Sequence, residues 1–315
     1  MKIPIVYLVI PCYNEEEVLP ETIKRLTAKL NSMIHDELAS PESRMLFVDD
    51  GSHDRTWELI SEYHGENPLV CGVKLSHNRG HQNALLAGLM TARASADCAV
   101  SLDADLQDDI GVLDQFVKKF LQGCDVVYGV RNKRETDTFF KRTTAQGFYR
   151  FMQLLGVELV YNHADYRLMS RRALDALSEY RETNLFLRGI VPLIGFQGGC
   201  VTYDRNERFA GESKYPLKKM IAFALDGVTS FSVKPLRIIA NLGILVSVLS
   251  VLGLLYALIS YFTGNAVAGW TAIVCSIWLL GGIQLLCIGV VGCYVGKIYS
   301  EVKDRPRYTI EQLLK

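Results

Sequence analysis

Charge is missing where a soluble chain would find it hardest to do without. No Asp, Glu, Lys or Arg occurs between Arg237 and Lys297, and the stretch divides into two apolar runs, Ile238 to Phe262 and Trp270 to Gly296. Each run exceeds the roughly 20 residues that an α-helix needs to cross a bilayer core. A soluble fold of 315 residues has little interior for two buried helices of this kind, so the pattern predicts a transmembrane hairpin. An excess of either charge is also lacking: 34 Lys and Arg balance 34 Asp and Glu, which argues against nucleic acid as a partner. Paired cysteines are absent. The eight cysteines (Cys12, Cys71, Cys98, Cys124, Cys200, Cys275, Cys287 and Cys293) are scattered without a C-x-x-C, so reduced, space-filling thiols in a cytoplasmic setting are expected rather than disulfides or a zinc site. Neither a G-x-G-x-x-G after a strand nor a Walker lysine loop is present, which removes two familiar phosphate cradles.

The charges flanking the gap orient it. Lys234 and Arg237 precede the first run, Lys297, Lys303, Arg305 and Arg307 follow the second, and Thr263 to Gly269 between them carries none. The positive-inside rule then places both ends of the hairpin, and the large domain before it, in the cytoplasm. Ile3 to Pro11 is apolar but short and has no basic flank, so it reads as neither signal peptide nor anchor.

What precedes the gap alternates. Strands are expected at Ile5 to Ile10, Arg44 to Val48, Val70 to Leu75, Cys98 to Leu102 and Asp125 to Tyr128, with helices around Val18 to Met33, Thr56 to His64, Gln82 to Ala94 and Ile110 to Gln122. Such alternation predicts a largely parallel α/β sheet covered by helices, with ligands beyond the carboxyl ends of its strands. Polar clusters fall at those ends: Tyr13-Asn14-Glu15, Asp49-Asp50-Gly51-Ser52 and Asp103-Ala104-Asp105. Farther on, Arg131, Lys133, Arg134, Lys141 and Arg142 form a basic segment, Gly195 to Arg208 reads as a strand pair, and Tyr215 to Phe231 as an amphipathic helix. That helix suits a membrane interface, and an ordinary surface helix would show the same pattern. The expected division is a catalytic domain over 1–214, an interfacial helix over 215–235, a two-helix hairpin over 236–296 and a cytoplasmic tail over 297–315.

The acidic turns carry the chemistry. Asp103 and Asp105 at i and i+2, with Gln107 two residues on, can gather oxygen ligands around Mg²⁺ or Mn²⁺ and leave positions for a diphosphate. A D-x-D triplet alone is more often a solvated turn or a helix cap; two further acidic turns at neighbouring strand ends favour the metal. Asp49-Asp50-Gly51-Ser52 can be a turn and cap, or one Asp can accept the N–H of a base such as uracil.

In combination, Val9-Ile-Pro-Cys-Tyr-Asn-Glu-Glu16, Val48-Asp-Asp-Gly-Ser52, Asn78-Arg-Gly80 and Leu102-Asp-Ala-Asp-Leu-Gln-Asp108 resemble glycosyltransferase family 2, with its GT-A type, Rossmann-like fold. Asp165-Tyr-Arg-Leu-Met169, Arg208-Phe-Ala-Gly-Glu-Ser-Lys214 and the two apolar runs narrow the resemblance to polyprenyl-phosphate glycosyltransferases, the group that contains bactoprenol glucosyltransferases and dolichol-phosphate mannose synthases. The resemblance implies that Pro11, Tyr13, Glu15, Val48 and Asp50 line a nucleoside pocket. It implies that Asp103, Ala104, Asp105 and Gln107 meet the metal and diphosphate, with Asp105 and Gln107 as direct ligands, and that Arg131, Arg208 and Lys214 contact phosphate groups. Asp165 falls where such families often place a catalytic base, but a phosphate monoester is already largely ionised at pH 7, so Asp165 is expected to position a donor sugar hydroxyl or the Arg167 side chain and only secondarily to remove a proton. His163-Ala164 departs from the pattern, in which Gly often precedes the acidic residue, and Cys12 and Asp109 fall at positions without an assignable role.

The implied reaction is inverting transfer of a sugar from a nucleotide diphosphate sugar to a polyprenyl phosphate such as undecaprenyl phosphate, at the cytoplasmic face of the membrane. UDP-glucose is the first expectation for the donor; UDP-linked N-acetylhexosamine, UDP-galactose and GDP-mannose stay open. Lys141 and Arg142 are expected to hold the acceptor phosphate, and a solvated helix face would explain the same pair. A processive polysaccharide synthase would need a Gln-x-x-Arg-Trp motif, yet no Arg precedes Trp57, Trp270 or Trp278. A silent membrane-anchored scaffold or nucleotide-sugar sensor is the alternative outside enzymes. Gly292-x-x-x-Gly296, with Gly289, permits close helix contact in lipid, and a homo-oligomer, a tetramer by resemblance, is expected.

Overall fold

The computed structural model describes residues 3–131, 163–182, 186–204, 234–263 and 269–315. Their elements, in chain order, are β1 (Val6–Cys12), α1 (Leu19–His35), β2 (Arg44–Asp49), α2 (Thr56–Glu66), β3 (Val70–Leu75), α3 (His81–Arg93), β4 (Cys98–Ser101), α4 (Leu113–Leu121), β5 (Val126–Arg131), β6 (His163–Ser170), α5 (Arg171–Ser178), α6 (Leu187–Leu193), β7 (Gly198–Tyr203), α7 (Lys234–Phe262), α8 (Trp270–Val302) and β8 (Ile310–Leu314). A short 3₁₀ turn, Ile110–Val112, leads into α4. Elements within residues 132–162 and 205–233 lie outside the described residues, and with them the Tyr215 to Phe231 helix expected from the sequence.

The eight strands form one sheet in the order β7-β5-β6-β4-β1-β2-β3-β8. It is mixed rather than largely parallel. The β4-β1-β2-β3 centre and the β5–β7 pair are parallel, whereas β6 runs antiparallel between β4 and β5, and β8 runs antiparallel to β3 at the edge. Central strands buried on both faces read as continuous apolar runs, and Val6, Leu8, Val9 and Ile10 of β1 are fully buried. Helix α3 lies close on this centre: a Cβ built on Gly88 would come within 2.4 Å of Val9 Cγ1 and 2.7 Å of Val48 Cγ2. On the other face, Leu19, Ile23, Leu26 and Leu30 of α1 join Phe116 of α4 in the main core.

Gly195 to Arg208, read from sequence as a strand pair, contributes one strand among the described residues, β7. The segment read as a tail returns to the sheet: Gly72 pairs with Leu314 and Leu75 with Ile310, and Trp57 Nε1 donates to Gln312 Oε1 at 3.0 Å. Residues 305–315 accordingly belong to the same compact unit as the sheet, while α7 and α8 fall in a second unit. In that second unit α7 spans 29 residues and α8 spans 33. Leu280–Val302 of α8 is long and apolar enough to cross a membrane, with a mean hydropathy of 1.6.

Candidate active site

In a sheet of this kind the crevice opens where strand order reverses. Here that point lies between β1 and β4, because β2 and β3 extend from one side of β1 and β4 from the other. Pro11 and Val48 are register partners on β1 and β2, and both are buried. Beyond them Tyr13 turns outward, 41% exposed. The loops after β1 and β2 are stitched together: Asn14 N donates to Ser52 Oγ at 3.0 Å, Glu15 N to Thr56 Oγ1 at 2.9 Å, and His53 N to Asn14 Oδ1 at 2.9 Å.

Asp49 and Asp50 are both buried, and burial pushes both carboxyls up from their ordinary value. Backbone amides offset part of that cost. Asp49 accepts from Ser52 N at 3.2 Å, while Asp50 accepts from Arg79 N at 2.7 Å and Gly80 N at 2.9 Å. Asp50 thus holds the loop between β3 and α3 against the end of β2. Gly51 is required between these loops: its φ is +68°, and a Cβ there would stand 2.6 Å from Asn78 N.

Asp103 follows β4 on the next loop. Antiparallel pairing sets Ser101 opposite Arg167, and two residues further in that register Asp103 stands across from Asp165 on β6. His81 at the start of α3 sits between the two, its Nε2 3.7 Å from Asp103 Oδ1 and 3.8 Å from Asp165 Oδ2. Although 40% of its side chain is accessible, Asp103 is raised to about 6. Desolvation is the largest cause and the Asp108, Asp165 and Asp105 carboxylates add to it, against the opposing pull of His81. Asp105 Oδ1 accepts from Gln107 N at 3.1 Å, and Leu106 between them has φ +56°. Ala104 is buried, its carbonyl accepting from Thr22 Oγ1 at 2.8 Å.

Asp165 has both oxygens occupied. Oδ1 accepts from Arg167 Nη2 at 2.5 Å and Arg188 Nε at 3.2 Å; Oδ2 accepts from Arg188 Nη2 at 2.9 Å and Gln82 Nε2 at 3.4 Å. Burial acts to raise this carboxyl, but Arg167 and Arg188 outweigh it and hold it well below the usual carboxylate range. Arg167 is itself buried and donates from Nη1 to Leu187 O at 3.2 Å. Leu187 N in turn donates to Gln82 Oε1 at 3.1 Å. The cluster therefore ties β6, α3 and α6 together around one ionised carboxylate.

A second cluster surrounds Arg131. Arg131 Nη2 lies 3.3 Å from Asp108 Oδ1, its Nε donates to Tyr203 OH at 3.1 Å, and Tyr203 OH donates to Asp108 Oδ1 at 2.6 Å. Asp108 is buried, and its Oδ2 has no hydrogen-bond partner among the described residues. Asp109 caps the 3₁₀ turn by accepting from Gly111 N, and Cys12 is a buried core thiol, which gives both residues structural places.

The structure thus brings Pro11, Tyr13, Glu15, Val48 and Asp50 to one end of the sheet and gathers Asp103, Asp105, Gln107, Asp165 and Arg131 around the ends of β4, β5 and β6. Lys141, Arg142, Arg208 and Lys214 lie outside the described residues. Sequence reasoning missed His81, Asp108 and Arg188; a lone arginine in the otherwise apolar Leu187–Leu193 run was the available signal for the last. Among the described residues no three His, Cys, Asp or Glu side chains form a ready metal cluster. The donor set nonetheless suits a hard divalent cation. Asp108, Asp165 and Asp105 add to the desolvation that raises Asp103, and Asp108 Oδ2 is buried without a partner among the described residues; a cation would relieve both.

Residues 7–178 match the family described as glycosyl transferase family 2. The chain is 54% identical over 308 residues to the uncharacterized glycosyltransferase YkoT of Bacillus subtilis (strain 168), covering 98% of this chain and 91% of that protein. It is 39% identical over 307 residues to the SfII prophage-derived bactoprenol glucosyl transferase of Shigella flexneri, covering 97% of each. Against the prophage bactoprenol glucosyl transferase homolog of Escherichia coli (strain K12) it is 38% identical over 310 residues, covering 98% of this chain and 99% of that one. With its acidic turns at the ends of β2 and β4 and a family match that takes in both, the chain belongs to glycosyltransferase family 2.

Proposed function

We propose that this glycosyltransferase moves a sugar from a nucleotide diphosphate sugar, UDP-glucose first, onto the phosphate of a membrane polyprenol such as undecaprenyl phosphate. The observation that carries the reading is the state of Asp165. A hydroxyl acceptor must lose a proton as it attacks and needs a base, whereas a phosphate monoester is already largely ionised at pH 7. A carboxylate clamped by two arginines and held far below neutrality is a poor base, so the site suits an acceptor that needs none. Full-length similarity to bactoprenol glucosyl transferases supports the same acceptor.

In this mechanism Pro11, Tyr13, Glu15 and Val48 border the nucleoside, and Asp50 keeps its loop in place beside it. Asp103, Asp105 and Gln107 would hold Mg²⁺ or Mn²⁺, which when bound offsets the charge of the leaving diphosphate. Asp165 fixes Arg188 and His81 at the reacting end, and Arg131, oriented by Asp108 and Tyr203, offers its remaining donors to a phosphate. Arg208, Lys214, Lys141 and Arg142 would add the charge that lets two anions meet. The acceptor oxygen then displaces the nucleotide diphosphate from the anomeric carbon in one inverting step, with no enzyme nucleophile.

Membrane placement is part of the proposal. The faces of α7 and α8 expose large apolar side chains, Tyr256 and Leu285 each 72% accessible, more than water tolerates over a contiguous surface. The chain leaves the sheet after β7 and returns to it as β8, so both ends of any membrane passage must lie on the same side; two spans, with the catalytic domain and both termini cytoplasmic, satisfy this. Among the described residues a Cβ built on Gly289, Gly292 or Gly296 would meet nothing within 4 Å, which leaves room for a second copy and supports a homo-oligomer, a tetramer by resemblance. The test offers the purified chain, with Mg²⁺ or Mn²⁺ and undecaprenyl phosphate, a panel of labelled nucleotide sugars. Glucose label in the lipid is expected from UDP-glucose, and no transfer from any donor overturns the reading.

A further inference from the structure

The returning segment borders a cavity beside the loop between β3 and α3. Ser76 N donates to Thr309 O at 3.0 Å just beyond the β3–β8 pairing, which sets the residues before β8 against the loop that precedes α3. Between them lies an open cavity of about 510 Å³ lined by Asn78, Arg79, Gly80 and Asn83 on one side and Arg305 and Arg307 on the other. No acidic residue lines it. Among the described residues none of its three guanidinium groups makes an ion pair.

Its walls are held in place by contacts that leave this charge unspent. Arg307 Nη2 donates to Tyr180 O at 2.9 Å, and Asn83 Nδ2 donates to Arg79 O at 2.8 Å. The backbone amides of Arg79 and Gly80 are committed to Asp50, but Arg79 Nε is buried without a partner among the described residues. Three arginines and no carboxylate border this space, a lining that attracts an anion. Guanidinium forks match phosphate oxygens in particular, and the volume falls in the range of small-molecule sites rather than that of a bare halide.

We propose that this cavity binds a phosphate group, and that its occupant steadies the loop that holds Asp50. Arg305 follows Val302, the last residue of α8, by three positions. The phosphate of an anionic lipid at the surface where α8 emerges is therefore one source, and soluble phosphate or pyrophosphate is the other. Binding stands on the cavity alone; its effect on the nucleotide sugar rests on the function proposed above.

The experiment follows amide hydrogen exchange of residues 76–83 and 305–309 in the full chain. Three samples are compared: phosphatidylcholine nanodiscs, the same nanodiscs with added inorganic pyrophosphate, and nanodiscs containing phosphatidylglycerol. Exchange slowed at least about threefold in both segments by pyrophosphate identifies a soluble occupant, and by phosphatidylglycerol a lipid one. Arg305→Gln should abolish the protection and Arg305→Lys should keep part of it, with the exchange of Ile310–Leu314 unchanged to show that β8 is still paired. No protection in either arm overturns the proposal, as does protection that survives Arg305→Gln. A raised KM for the nucleotide sugar in Arg305→Gln, with kcat kept, tests the link to Asp50; protection without that change retains the site and sinks the proposed function's part in it.

Discussion

Replacing Asp165 by Asn keeps the shape of the side chain and removes the charge that two arginines share. Its side chain is 8% accessible and that of Arg167 is 1%, so this half of the cluster is a buried ion pair; Arg188, at 37%, is partly screened by solvent. Breaking a buried pair from one side costs about 3–5 kcal/mol, because the remaining charge is left uncompensated. Against a domain stability of about 5–15 kcal/mol that loss is large, and thermal unfolding in detergent should show it. Arg188→Gln removes only the partly exposed partner and should cost about 1 kcal/mol. In the double variant Asp165→Asn, Arg167→Met the orphaned charge is gone, and much of the lost stability should return. The linkage has a definite sign. Because the folded carboxyl lies below its ordinary value of 3.8, its contribution is fully present at neutral pH and disappears only as the pH falls below about 4.

The same residue decides the pH profile of the reaction. With Asp165 ionised throughout the working range, the acidic limb of kcat should come from the acceptor phosphate, whose second pKa is near 6. Asp165→Asn should therefore be slower at every pH while the limb stays where it was. Loss of that limb together with nearly all the rate would mean that Asp165 is an obligatory base, and the argument for a phosphate acceptor would fall with it. Wild-type stability in Asp165→Asn would refute the buried-pair reasoning independently.

Other perturbations separate the remaining parts. Asp105→Asn should lower activity at least about a hundredfold if a bound metal supplies several kcal/mol to the departing diphosphate, and full wild-type activity in excess EDTA would refute the metal. Gly88→Ala forces a methyl group against Val9 and Val48 and should destabilise the domain by about 1–3 kcal/mol, read as a lower urea midpoint; an unchanged midpoint would show that α3 shifts freely on the sheet. Removing Ile310–Lys315 bares the β3 edge and should raise the KM for the nucleotide sugar by loosening residues 76–80, whereas an unchanged KM would make β8 a cover only. Changing Lys141 and Arg142 together to Ala should raise the KM for polyprenyl phosphate far more than that for the donor, and equal effects would assign the pair to the donor or the fold.

The parallel centre of the sheet was legible because its strands are buried on both faces and separated by helices with one apolar side. Val70–Leu75 and its neighbours needed only local pattern. Strand β6 escaped notice for the opposite reason. In His-Ala-Asp-Tyr-Arg-Leu-Met-Ser a carboxylate and a guanidinium occupy a buried strand, and along the chain they look like a polar loop. Only the partners brought from α3 and α6 make their burial tolerable. Strand β8 was hidden in another way: Ile-Glu-Gln-Leu-Leu is short and half polar, as edge strands are. Its pairing partner, β3, lies across the whole second compact unit in sequence, beyond the reach of any local pattern.

The same distinction governs the site. Asp50, Asp103 and Asp105 were legible as acidic turns at strand ends, where the topology alone puts them beside one another. What each carboxylate does depended on groups with no sequence signature. Asp50 is engaged by two backbone amides, which every residue but proline carries, so its part in fixing a loop could not be told from a base contact. Asp165 was legible as a base or a positioning residue with Arg167 as an expected partner, but Arg188 was not, because it comes from a short helix whose only mark is one charge among apolar residues. A carboxylate's position in the chain sets where it can act, but its partners across the fold set its pKa. For Asp165 they favour a fixed anion that holds Arg167 and Arg188 in place, a role that fits the proposed transfer between two phosphate-bearing substrates.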